Sequence, residues 1–205
     1  MRPIVRSVLA PAAVLAMFLP HHLSAQNGPV NYIQLTGGVY FPTGDLKTLL
    51  YDPSATLELA YGRHFHENFV LEFAGGLLHA EGGSDSTVQL FFRDRDLITW
   101  YGTLTPKAVY TQDRLELFGG GGVGAYYVNL EIYDRTPGSP DFKEKQWMFG
   151  AHAVAGFGFA VTPFWQVGFD GQFLWTEQKV FTNQTISQPV ELVGFKVRLN
   201  IKLRF

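Results

Sequence analysis

FKVRLNIKLRF, residues 195–205, alternates from its first residue to its last. Phe195, Val197, Leu199, Ile201, Leu203 and Phe205 fall on one side; Lys196, Arg198, Asn200, Lys202 and Arg204 fall on the other. Successive side chains of a β-strand point to opposite faces, so as a strand this segment has one wholly apolar and one wholly polar face. At helical spacing the two sets would mix around the axis, and no clean face would form.

The same period recurs upstream. Seven further segments read as strands, at about 31–41, 55–63, 68–79, 97–110, 115–131, 147–161 and 165–178, with the last strand over 191–205. Most reach the nine to eleven tilted residues that cross a bilayer core. Short connections (63–67, 111–114 and 162–164) alternate with long ones (42–54, 80–96, 132–146 and 179–190). Eight strands with tight turns at one end and longer loops at the other predict an antiparallel up-and-down transmembrane β-barrel. An even strand number places both chain ends at the short-turn side.

Residues 147–169 carry no Asp, Glu, Lys or Arg, and by length alone could form a membrane helix. Gly150, Gly156, Gly158, Gly168 and Pro163 argue against that. Phe157, Phe159 and Val161, then Trp165, Val167 and Phe169, resume the period of two. A hairpin turning at Thr162-Pro163 is the better account.

Composition agrees. Aromatics make up 15% of the chain and glycines number 22, while charged residues are only 17%, below the quarter typical of soluble domains. The start is of another kind. Arg2 and Arg6 precede an uncharged apolar run over 7–19, which ends in Leu23-Ser24-Ala25. This is the pattern of a secretory signal peptide over 1–25, cleaved after Ala25, leaving one barrel domain over 26–205. Losing Arg2 and Arg6 takes the formal net charge from −2 to about −4, so no basic excess points to nucleic acid. The chain has no cysteine, which excludes thiolate metal clusters, thiol catalysis and disulfides.

The apolar set belongs on lipid. It includes Ile33, Leu35, Leu57, Leu59, Phe73, Trp100, Phe149, Phe157, Phe169 and Trp175. Aromatics near strand ends (Phe41, Tyr61, Phe69, Tyr110, Tyr127, Trp147, Trp165, Phe205) suit girdles at the two interfaces. The inward set includes Glu58, Glu72, Glu116 and Asp170 with Lys107, Lys196, Arg198, Lys202 and Arg204. An eight-stranded lumen is only wide enough for side chains, and buried charges must pair. An internal ion-pair network is therefore expected. The rival is a soluble sandwich or lipocalin-like binder, with the apolar face turned inward.

Taken together, the chain resembles the small OmpA/OmpX/OmpW-like outer-membrane β-barrels. The resemblance rests on GGVYFPTGDL at 37–46, GGGGVGAYY at 119–127, and the alternating last strand ending in Phe205. It implies residence in the bacterial outer membrane, contact with its lipid and lipopolysaccharide, and a monomer. It also implies that Phe205 is the terminal aromatic read by the barrel-assembly machinery. No peptidoglycan-binding domain is expected after Phe205.

Because some barrels of this size modify lipids, the histidines need a reading. His64 and His66 share a side near Glu67, short of the three or four ligands of a zinc site. The resemblance implies that a deacylase would carry Ser two residues after its strand His; after His152 that position is Val154. His79, Glu81 and Ser84 lie at a loop edge, where no fixed triad is evident. The loop with Gly82 to Ser86, Asp94 and Asp96 lacks an EF-type calcium spacing. Gly119 to Gly122 lack the helix and Lys of a phosphate loop and suit close strand packing instead. Asn183-Gln184-Thr185 has the form of a glycosylation acceptor, which means little in a bacterial surface loop. No enzyme, metal or cofactor is expected. The chain reads as a surface-exposed anchor; the alternative is a narrow channel or hydrophobic-ligand conduit.

Overall fold

The structure, a computed structural model, describes residues 31–43, 53–82, 93–134, 142–182 and 187–205. The expected signal peptide, Ser84 and the acceptor at Asn183 lie outside them.

Ten strands are described: β1 (Asn31–Thr43), β2 (Ser54–His66), β3 (Phe69–Gly82), β4 (Arg93–Gln112), β5 (Leu115–Asp134), β6 (Phe142–Ala160), β7 (Trp165–Thr176), β8 (Lys179–Thr182), β9 (Ser187–Val190) and β10 (Val193–Arg204). Eight of them close an antiparallel barrel in the order β1-β10-β7-β6-β5-β4-β3-β2. Closure pairs the first strand with the last. Leu35 lies opposite Ile201. At the end of the seam Asn31 and Phe205 exchange both backbone hydrogen bonds, at 3.0 and 2.9 Å. A closed barrel leaves no unpaired edge, which is what a sheet in hydrocarbon requires.

The short turns follow local chemistry. β2 runs on to His66, so the first turn is only Glu67-Asn68. Between β4 and β5, Asp113 takes φ 54°, a left-handed conformation that Asp tolerates. Between β6 and β7, the Thr162 hydroxyl accepts the amides of Phe164 (3.3 Å) and Trp165 (3.0 Å). The charge-free stretch 147–169 is thus a hairpin, with its turn at Thr162-Pro163.

Parity sets the two faces. Leu57 and Leu59 are exposed on the outer wall, whereas Glu58 between them is buried. Leu199 is 69% exposed and Arg198 beside it only 3%. Outside, Trp100, Tyr127 and Trp147 stand in one cross-strand row towards the long-loop end. Phe65, Phe69, Tyr110, Phe164, Trp165 and Phe205 mark the short-turn end. Beyond the Trp100 row, Ile98 apart, the described outward side chains of β4, β5 and β6 turn polar: Asp96, Asn129, Glu131, Lys143 and Lys145. An exposed apolar band between aromatic rows, with charge beyond it, matches hydrocarbon between two interfaces.

Two features depart from the sequence reading. β6 starts at Phe142 rather than near 147, because its polar outer end still pairs with β5. The connection expected as a loop over 179–190 holds the ribbon β8–β9, a two-stranded sheet of its own. A third feature was not foreseen. The β4–β5 ladder lacks pairs between Leu104–Val123 and Lys107–Gly120. Pro106 sits in that gap and has no N–H to give.

Candidate functional site

Among the described residues, the lumen holds the ionisable side chains that alternation turns inward. Three levels can be distinguished from the short-turn end to the outer mouth.

At the lower level, Glu116 on β5 takes Lys202 Nζ at 2.6 Å and Arg204 Nη2 at 2.6 Å, both from β10. Gln166 also donates to Glu116 and accepts from Arg204. Glu72 on β3 takes Lys107 Nζ at 2.6 Å and the Tyr32 hydroxyl at 2.6 Å. The spaces between are apolar: Tyr32, Val70, Val109, Phe118 and Val154 cluster there. Lys202 lies over the Tyr32 ring at 4.4 Å and Lys107 over Phe118 at 4.9 Å. The Tyr32 ring lies so close above Gly62 that a Cβ there would collide with it.

At the middle level, Arg198 bridges two carboxylates. Its Nη1 donates to both oxygens of Glu58 at 3.0 Å, and its Nε donates to Asp170 at 2.6 Å. Glu58 also accepts the Tyr101 hydroxyl (3.1 Å), and Asp170 accepts the Asn200 amide (3.0 Å). Among the described residues, no carboxylate oxygen lies within 4.0 Å of Lys196 Nζ, which instead sits 4.1 Å above the Tyr101 ring. Arg198 and Lys196 still balance Glu58 and Asp170 in number. His152 Nε2 meets Thr105 Oγ1 at 2.8 Å. The His152 ring packs where a Cβ on Gly122 would stand, while Gly120 does the same for Lys107. The nearest atoms of all are the β4 carbonyl oxygens of Pro106 and Leu104, so these two inward glycines serve close approach of the neighbouring strand as well as of lumen side chains.

At the outer level the lining is apolar, which the sequence reading missed. Tyr40, Leu78, Leu97, Tyr126, Val128, Leu130, Met148 and Leu174 line the mouth, and Phe181, Val190 and Leu192 fill it from above. These positions carried a signal: Leu78, Leu97, Val128 and Met148 share parity with the lumen residues yet are apolar. Glu177, just past the end of β7, accepts the Phe149 amide at 3.1 Å and meets Lys179 at 3.2 Å. Those two contacts hold its carboxyl below the usual carboxylate range.

The other histidines are dispersed. His79 Nε2 meets Asp96 at 2.8 Å on the outer rim, His64 stands edge-on to Tyr32, and His66 accepts the Asn68 amide. Among the described residues, no three His, Cys, Asp or Glu side chains are placed to hold a metal ion.

This closed, inverted barrel, with lipid-type residues outside and charges inside, has counterparts among solved structures. Neisserial surface protein A matches with a TM-score of 0.57 at 12% identity, over 85% of this chain and 97% of its own. Outer membrane protein OprG from Pseudomonas aeruginosa gives 0.58 at 12% identity, over 89% and 99%. The chain has the fold of the small outer-membrane β-barrels. Outer Membrane Protein W of E. coli extends the set, at 0.53 and 12% identity over 88% and 100%. At such identities the likeness is one of fold. No protein-family model matches the chain, and no curated protein matches it.

Proposed function

We propose that this chain is a closed anchor in the bacterial outer membrane, meeting the outside through the outer end of its barrel. The observation that carries this reading is the filled lumen. Charged side chains that would line a water-filled pore are instead buried against one another, at 3% exposure for Glu58 and Arg198. Eight strands leave no room for both these side chains and free solvent. Single-channel recording of the refolded protein in a planar bilayer tests it. No steady open state is expected. A large, lasting conductance would promote the alternative, a narrow channel or hydrophobic-ligand conduit.

Export and assembly belong to the same reading. N-terminal sequencing of the protein recovered from outer membranes should begin at Gln26; a membrane-embedded form starting at Met1 would count against export. Phe205 forms the end of the β1–β10 seam through its two backbone bonds to Asn31. Its apolar ring is 45% exposed on the outer wall, where the barrel-assembly machinery can meet it. Phe205→Asp should lower the folded protein recovered from outer membranes several-fold, read by heat-modifiability on gels. Undiminished recovery would show that Phe205 is no assembly signal.

A further inference from the structure

We propose that the β8–β9 ribbon is a lid, which swings off the outer mouth to uncover a blind apolar bowl. Among the described residues the ribbon pairs with itself, Lys179 opposite Val190 through Thr182 opposite Ser187, and shares no ladder with the barrel. Two strands alone are marginally stable in water, so the ribbon stays in place through what it touches. Phe181 and Val190 are fully buried in the mouth, while Val180 between them in register faces outward, 52% exposed. Among the described residues, Gln146 Nε2 ties the barrel wall to the ribbon by donating to the Val180 carbonyl at 3.0 Å.

Its roots are fixed more firmly. On one side Glu177 is tied to Phe149, amide to carbonyl at 2.9 Å. On the other, the Leu192 amide donates to Thr176 Oγ1 at 2.8 Å. A segment that lies outside the barrel ladder, between two anchored roots, opens before the ladder behind it does.

Lifting the ribbon would expose Tyr40, Leu97, Met148 and Leu174 to the outside. It would not open a path through the barrel. The floor of the bowl is Tyr101, which belongs to the apolar cluster yet donates to Glu58 of the Arg198 bridge. The lid thus controls access from one side only.

The chain has no cysteine, so a single introduced thiol reports alone. Met148→Cys places it on the wall under the lid, Lys145→Cys on the exposed face of the same strand, and Gln34→Cys in the buried lower lumen. Each full chain is refolded into phosphatidylcholine vesicles and treated outside with a membrane-impermeant maleimide. Lys145→Cys gives the fraction of barrels facing the reagent. A lid makes Met148→Cys label to that same fraction, but at least about tenfold more slowly. Adding Phe181→Ser should speed it about tenfold or more, with Gln34→Cys still protected. Gln146→Ala, which removes the tie together with the Gln146–Glu144 bond on the same strand, should speed it less, and decides the matter if the Phe181 variant does not fold. Met148→Cys protected in every folded variant, or Gln34→Cys labelling in step with it, would overturn the lid.

Discussion

Arg198→Ala should destabilise the barrel by about 3–5 kcal/mol, the usual cost of removing one partner from a buried charge pair. Arg198 is on β10, Asp170 on the neighbouring β7, and Glu58 on β2, beyond β1. One guanidinium therefore spans the closing seam, with its Nη1 on Glu58 and its Nε on Asp170. Truncation leaves two carboxylates buried at 3% and 1% exposure. Tyr101 and Asn200 would still donate to them, but neither supplies charge. The measurement is urea unfolding of the protein refolded in lipid vesicles, followed by tryptophan fluorescence. Arg198→Lys should fall between, since one ammonium keeps the charge but lacks the two separate nitrogens that meet the two carboxylates. The double change Arg198→Met, Asp170→Asn should regain most of the loss, because Glu58 then still has Lys196 as its counter-charge. A loss under about 0.5 kcal/mol for Arg198→Ala would mean a hydrated lumen and would weaken the anchor reading.

The face each of these residues takes was legible in the sequence, whereas their partners were not. Alternation is a local property: Lys196 to Arg204 declare their side within eleven residues, whatever the rest of the chain does. Pairing is global. Arg198 and Glu58 lie 140 residues apart, and they meet only because β1 closes against β10 in one register. A shift of one residue would turn Arg198 onto lipid, so the register is fixed by the cost of that exposure. The lid was hidden for a different reason. Residues 179–190, KVFTNQTISQPV, are polar apart from scattered apolar positions and include Pro189, all of which reads as loop. Phe181 has meaning only once the mouth it fills exists. The outer end of β6 escaped notice because Lys143, Glu144, Lys145 and Gln146 show no apolar face. They are strand because β5 continues beside them, Asn129 opposite Lys145.

Leu199→Arg should cost about 2–4 kcal/mol in the same unfolding experiment, and the cost should depend on depth. Leu199 lies midway along β10, outward, with Gly37 and Phe169 opposite it on the flanking strands. Hydrocarbon cannot solvate a guanidinium there, and the side chain must reach far along the wall to find water. Tyr110 is also outward and 60% exposed, but it lies two residues from the end of β4 at the short-turn side. Arg in its place can extend into the interface, so Tyr110→Arg should cost only about 0–1 kcal/mol. Comparing the two removes what they share, namely a new charge and a lost apolar side chain on the outer wall. A barrel whose outer face met water would show no such difference, because both positions would be solvated alike. Equal costs at the two positions would therefore sink the assignment of this face to lipid. A cost that rises from Tyr110 to Leu199 locates the bilayer around the middle of the apolar band, between the Trp100–Tyr127–Trp147 row and the Trp165–Phe205 end.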